Sequence, residues 1–122
     1  LNTTKRIVLS TILIAAATLH AAAWAHATLQ SATPGKDAEV TASPKEVVMH
    51  FNEDLEAAFI SAKVLDSTGN AVSSEKATLD AREAAVMKLT VPTLLPGKYT
   101  VQYTAVGHDG HRRKGEYSFT VK

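Results

Sequence analysis

The sequence runs to 122 residues, with 13 Lys and Arg against 12 Asp and Glu for a formal net charge of +1, and it contains no cysteine. That length suits one domain and leaves no room for a large internal substrate cavity. The charge balance gives no long-range pull on nucleic acid. Without cysteine, zinc-finger, iron–sulfur and blue-copper centres are excluded, and an exported domain has no disulfide to lean on.

The first segment reads as an export signal. Lys5 and Arg6 form a short positive region, and Ile7 to Ala23 is an apolar run broken mainly by Ser10, Thr11, Thr18 and His20. Ala23 and Ala25 then place small residues at the −3 and −1 positions of a signal-peptidase site, which predicts removal of residues 1–25 and a new terminus at His26. A transmembrane anchor is the competing reading, but the run falls short of the ~20 apolar residues that cross a bilayer. Setting aside Lys5 and Arg6 turns the formal charge to −1.

Beyond His26 the pattern is extended. Ala27 to Ser31 is short, with Leu29 pointing inward, and Thr33-Pro34-Gly35 turns the chain; Asp37 to Thr41 forms a brief strand before Ser43-Pro44. Val47, Met49 and Phe51 alternate with Val48, His50 and Asn52, so one face enters a core and the other carries His50. Asn52-Glu53-Asp54 ends that strand, Leu55 to Ala58 can make one helical turn, and Phe59 to Leu65 reads as a strand with Ile60, Ala62 and Val64 on one face. Asp66 to Asn70 is a turn, with a hairpin return through Ala71-Val72-Ser73.

Glu75 to Ala84 fits a short helix or an edge strand about equally and is read as irregular, because strands bracket it. Val86 to Val91 resumes the extended pattern with Met87, Leu89 and Val91 inward. After Pro96-Gly97 comes the longest strand, Lys98 to Val106, where Tyr99 fits the tyrosine-corner role of sandwiches. A loop from Gly107 to Gly115 carries the basic run Arg112-Arg113-Lys114, and Tyr117, Phe119 and Val121 line the last strand. About seven short strands with proline and glycine turns predict an all-β sandwich, with residues 26–122 as one domain.

Candidate chemistry gathers on histidine. A free amine and a ring nitrogen on one terminal residue can chelate one metal ion, so processing before His26 would supply two nitrogen donors. In His108-Asp109-Gly110-His111, Asp109 and His111 are two apart and can share a side, with His108 pointing away. Together they make three nitrogens and one oxygen, a set that offers too few oxygens for Ca(II) or Mg(II) and that Zn(II) could use too, though a tetragonal site anchored by a terminal chelate favours one Cu(II) ion. Read singly, Asp109 is an ordinary Asp-Gly turn residue and His111 a surface histidine. His50 is either a half-buried histidine satisfied by a neighbour, an outer support for the metal or a separate Cu(I) contact, and Glu53 either orients a ligand or supplies an outer oxygen. Met49 and Met87 sit at packing positions. No nucleophile, base and orienter can be named for hydrolysis.

These residues, with Thr33-Pro34, Ser43-Pro44 to Phe51-Asn52-Glu53, Ser61-Ala62-Lys63, Leu95 to Val101, Asp109-Gly110-His111, Gly115 and Tyr117 to Lys122, resemble the periplasmic copper-resistance protein C family across the whole segment after His26. The resemblance implies an immunoglobulin-like or cupredoxin-like Greek-key β-sandwich in the periplasm. It would hold Cu(II) through the amine and ring of His26 and through Asp109 and His111, with Glu53 at an acidic position near the site. Some relatives carry a methionine-rich loop that binds Cu(I), whereas Asp66 to Ser74 has no methionine, which argues for Cu(II) alone.

The expected function is therefore copper homeostasis or resistance by a non-enzymatic monomer that sequesters copper or passes it to a copper-transporting inner-membrane protein. Two other readings stand beside it. One is a copper-dependent oxidative enzyme built on the terminal histidine chelate; the other is a copper-indifferent domain that binds an envelope protein through an edge strand.

Overall fold

Two four-stranded sheets pack face to face in the computed structural model, which describes residues 26–122. The expected export segment, residues 1–25, lies outside the described residues. The chain runs β1 (Leu29–Thr33), β2 (Glu39–Val40), β3 (Glu46–Phe51), a 3-10 turn (Ala57–Phe59), β4 (Ser61–Leu65), β5 (Thr78–Leu79), β6 (Val86–Thr90), β7 (Gly97–Val106) and β8 (Arg112–Val121). One sheet has the order β1-β3-β6-β5 and the other β2-β8-β7-β4. All pairings are antiparallel except β2 with β8.

Alternation along the strands builds the core. Val47, Met49 and Phe51 of β3, with Met87 and Leu89 of β6, face Tyr99, Val101 and Ala105 of β7 and Tyr117, Phe119 and Val121 of β8. Each such large apolar side chain removed from water contributes about 1.5 to 3 kcal/mol before chain entropy is set against it. No polar or charged residue is buried among the described residues, so the interior between the two sheets is held by apolar packing. Tyr99 makes the expected corner: its hydroxyl donates to the carbonyl of Leu95 at 2.6 Å and its ring stacks on Phe119.

Several local expectations shift. The edge strand that was one of two options for 75–84 exists as the two-residue β5, held by pairing to β6. The helical turn forms two residues later than expected, at Ala57–Phe59, and β4 starts only at Ser61. The hairpin return at 71–73 reduces to a bridge from Leu65 to Ala71, with Val72 N–H donating to the Val64 carbonyl. The long loop shrinks to residues 107–111, because β8 extends through Arg112, Arg113 and Lys114, paired with Val106, Ala105 and Thr104. The basic run is therefore an exposed strand end, since backbone pairing with the ten-residue β7 outweighs the turn preference suggested by consecutive charges.

Candidate metal centre

The antiparallel pairing of β1 with β3 brings Leu29 opposite Phe51, so the residues before β1 lie against those that follow β3. There Asn52 holds them. Thr28 N–H donates to Asn52 Oδ1 at 2.7 Å, Asn52 Nδ2 donates to the His26 carbonyl at 3.2 Å, and Asn52 N–H donates to the Thr28 carbonyl at 3.1 Å. Thr28 Oγ1 adds a second donor to the His26 carbonyl at 3.0 Å. A bulge between Leu29 and Ser31 in β1 shifts the register beside this segment, the kind of irregularity that re-aims nearby side chains.

Residues 52–56 then cross from one sheet to the other. Leu55 N–H donates to the Ala84 carbonyl on one side, while Leu55 bridges Gly107 and Glu56 N–H donates to the Val106 carbonyl on the other. This strap ties the end of β7 to the end of β3, which sets the 107–111 loop over the segment that carries His26. Glu53 packs its carboxylate against Gly107, where any β-carbon would collide with it. Glu53 Oε1 is buried without a hydrogen-bond partner among the described residues.

Within the loop, Gly110 N–H donates to the Gly107 carbonyl at 3.0 Å and Gly110 takes φ of 76°, a left-handed turn that glycine adopts without strain. Asp109 Oδ1 accepts from His111 N–H at 3.0 Å, while its Oδ2 lies 3.2 Å from His111 Nδ1. The His111 backbone bond, and then the nearby His111 and His26 rings, hold the Asp109 carboxyl below the usual carboxylate range, so it stays ionised.

His26, Asp109 and His111 come together here: each offers one ligand atom, and these atoms lie within 4.8 Å of one another. Both histidines are partly buried and Asp109 is exposed, which places the cluster at the surface of one end of the sandwich. The His26 and His111 rings stand 5.3 Å apart, centroid to centroid, tilted by 46°. Two imidazoles and a carboxylate form a nitrogen and oxygen set of the kind that suits Cu(II) or Zn(II).

The other singled-out residues lie elsewhere. His108 does point away, with Nδ1 at 2.6 Å from Glu56 Oε1, and that hydrogen bond raises its pKa, helped by the charges of Glu56, Asp54 and Glu53. His50 is exposed on the outer face of β3 and not half-buried; its neighbours across the sheet are Ser31 and Val86. Met49 and Met87 are fully buried between the sheets. Two contributors escaped sequence reasoning. Asn52 read only as a strand breaker, although a strand-end asparagine can bond a neighbouring backbone on both its amide atoms. The Glu56 partner of His108 left no local signal, being remote in sequence.

Comparison with known proteins places this geometry. The family model described as the CopC domain matches residues 29–122. Protein YobA of Escherichia coli is 36% identical over 102 residues, covering 81% of each chain. Copper resistance protein C of Escherichia coli is 32% identical, covering 82% of this chain and 84% of its own. Among solved structures, CopC from Methylosinus trichosporium OB3b superposes with a TM-score of 0.75 at 38% identity, over 80% of this chain and 94% of that one. PcoC from Escherichia coli, described as a methionine-rich copper resistance protein, gives 0.71 at 31% identity, over 80% of this chain and all of that one. The chain belongs to the CopC family.

Proposed function

We propose that this protein binds one Cu(II) ion in copper resistance or homeostasis, and that His26, Asp109 and His111 are its ligands. The observation that carries the reading is the convergence of those three donors, within 4.8 Å of one another, on a member of the CopC family. Released as a terminal residue, His26 would add its amine, completing a tetragonal set of three nitrogens and one oxygen. Asp109, already ionised, needs no proton removed before it ligates.

Cu(I) favours thioether and thiolate ligands. The chain has 2 methionines and no cysteine, and both methionines are enclosed in the core, so neither sulfur is reachable by an ion at the surface. The reading is therefore Cu(II) alone, in contrast with a relative described as methionine-rich.

Sequestration or delivery, not catalysis, is the task that fits. Among the relatives are a copper resistance protein and a copper transport protein. In the copper transport protein CutJ of Bacillus subtilis, 30% identical, the matching stretch is 18% of a longer chain, which supports a hand-off to a copper-transporting membrane protein. A site exposed at one end of the sandwich can be reached by such a receiver. With residues 1–25 acting as a cleaved signal, the place of action is the periplasm and the acting species a monomer comprising residues 26–122.

Cu(II) titration against a competing chelator tests the ligand set. His26→Ala, Asp109→Ala and His111→Ala should each weaken binding, whereas wild-type curves for all three would remove the site.

A further inference from the structure

A chelate built on a chain terminus faces a physical obstacle: the first residues of a domain are usually poorly ordered unless something ties them down. Here the tie is specific. The single side chain of Asn52 grips both peptide groups that follow His26, accepting from Thr28 N–H at 2.7 Å and donating to the His26 carbonyl at 3.2 Å. Its own backbone N–H donates to the Thr28 carbonyl, continuing the β1–β3 ladder by one rung. Thr28 Oγ1 gives the His26 carbonyl its second donor. The carbonyl of His26 is thus fixed on the side of Asn52, while its ring is turned to His111.

We propose that Asn52 is a positioning residue for the metal centre, holding the body of His26 in the ligating orientation by clamping the Thr28 amide and the His26 carbonyl. This rests on the Cu(II) reading given above. Asn52 does not belong to the His26, Asp109 and His111 donor cluster; it acts through the backbone. Two consequences follow. Residue 26 is ordered before metal arrives, so less conformational freedom is lost on binding. The Thr28 N–H is also occupied by Asn52 Oδ1 and so is itself withheld from deprotonation and ligation.

Only asparagine or glutamine carries both a donor and an acceptor in one amide, and glutamine would place them one carbon farther out. Aspartate keeps the acceptor for Thr28 N–H but sets a carboxylate oxygen against the His26 carbonyl. Alanine removes both contacts.

The test uses protein expressed with residues 1–25 in place and recovered after processing, its mass checked, as wild type, Asn52→Ala, Asn52→Asp, His26→Ala and a core variant, Val64→Ala, far from the site. Thermal unfolding, Cu(II) affinity by chelator competition and the Cu(II) electron paramagnetic resonance spectrum are read on each. Outer partners that orient metal ligands are typically worth about 10- to 100-fold in metal affinity. Both Asn52 variants should lose affinity in that range and show altered copper spectra, and amide exchange at Thr28 in metal-free protein should speed up. Val64→Ala should lower the unfolding temperature with affinity and spectrum unchanged, which separates positioning from general loosening.

Wild-type affinity and spectrum in both Asn52 variants, with His26→Ala still impaired, would overturn the clamp and leave the copper site standing. Equal affinity losses in the Asn52 variants and Val64→Ala would overturn it as well. If wild-type protein itself failed to bind Cu(II), the copper reading would fall and take this proposal with it.

Discussion

The imidazole rings of His26 and His111 stand 5.3 Å apart, although one precedes the first strand and the other leads into the last. Their meeting is a product of topology. β1 is the edge of one sheet and the β7–β8 hairpin lies in the other, and the strap at 52–56 ties the two sheets together at that end.

Adding one residue before His26 in the processed protein would convert its amine into a peptide nitrogen. Cu(II) affinity should fall by about tenfold or more, since a direct donor is lost and even an outer partner that orients a ligand is worth about that much. Chelator competition on matched proteins reads this directly. Equal affinity would mean that the amine is not a donor.

Anaerobic titration with Cu(I) should show no tight stoichiometric site, because both methionines are sealed in the core and no thiolate exists. Met49→Leu and Met87→Leu should leave copper binding unaltered in either oxidation state. A tight Cu(I) site lost in either variant would reverse the inference.

Two core tyrosines should respond oppositely to loss of the hydroxyl. Tyr99 donates to the Leu95 carbonyl, so Tyr99→Phe should destabilise the fold by about 0.5 to 1.5 kcal/mol. The Tyr117 hydroxyl is buried without a hydrogen-bond partner among the described residues, and burial pushes its pKa well above the usual tyrosine value. Tyr117→Phe should therefore be neutral or stabilising, by about 0 to 1 kcal/mol. Urea unfolding of both variants checks the pair of signs.

Acid should destabilise the metal-free fold below the ordinary carboxylate range. Asp66 is held below its reference value of 3.8 by bonds from the Thr68 side chain and the Asn70 backbone. Asp80 is held below 3.8 by Lys88, at 2.7 Å, and by the backbone of Arg82. Groups depressed in the folded state contribute stability above their unfolded pKa and lose it as pH falls through the folded one. Urea midpoints should thus fall below about pH 4, with a shallower fall in Asp80→Asn. A midpoint that did not change on acidification, or an unchanged slope in the variant, would contradict these assignments.

How much of this was legible in the sequence differs from part to part. The inward faces of β3, β6, β7 and β8 were, because a period of two with apolar side chains leaves little choice of face, and so was the corner at Tyr99. The two-residue β2 falls inside the brief strand read at 37–41, but β5 was hard to read, since a strand so short exists only through the partner it pairs with. The extent of the β7–β8 hairpin was misjudged because Arg112 to Lys114 carry no apolar signal, while their backbone completes the ladder. Asp109 and His111 could be grouped by their spacing. What brings His26 to them is the long-range contact of the strap at 52–56 and of Asn52, which no local pattern encodes.

The most direct test of the central claim is mass measurement of the exported protein followed by electron paramagnetic resonance of its one-to-one Cu(II) complex. We expect a chain beginning at His26 and a tetragonal spectrum with nitrogen coupling that changes in His26→Ala and His111→Ala. A chain cut elsewhere, or a spectrum indifferent to both substitutions, would contradict a copper centre built on His26, Asp109 and His111.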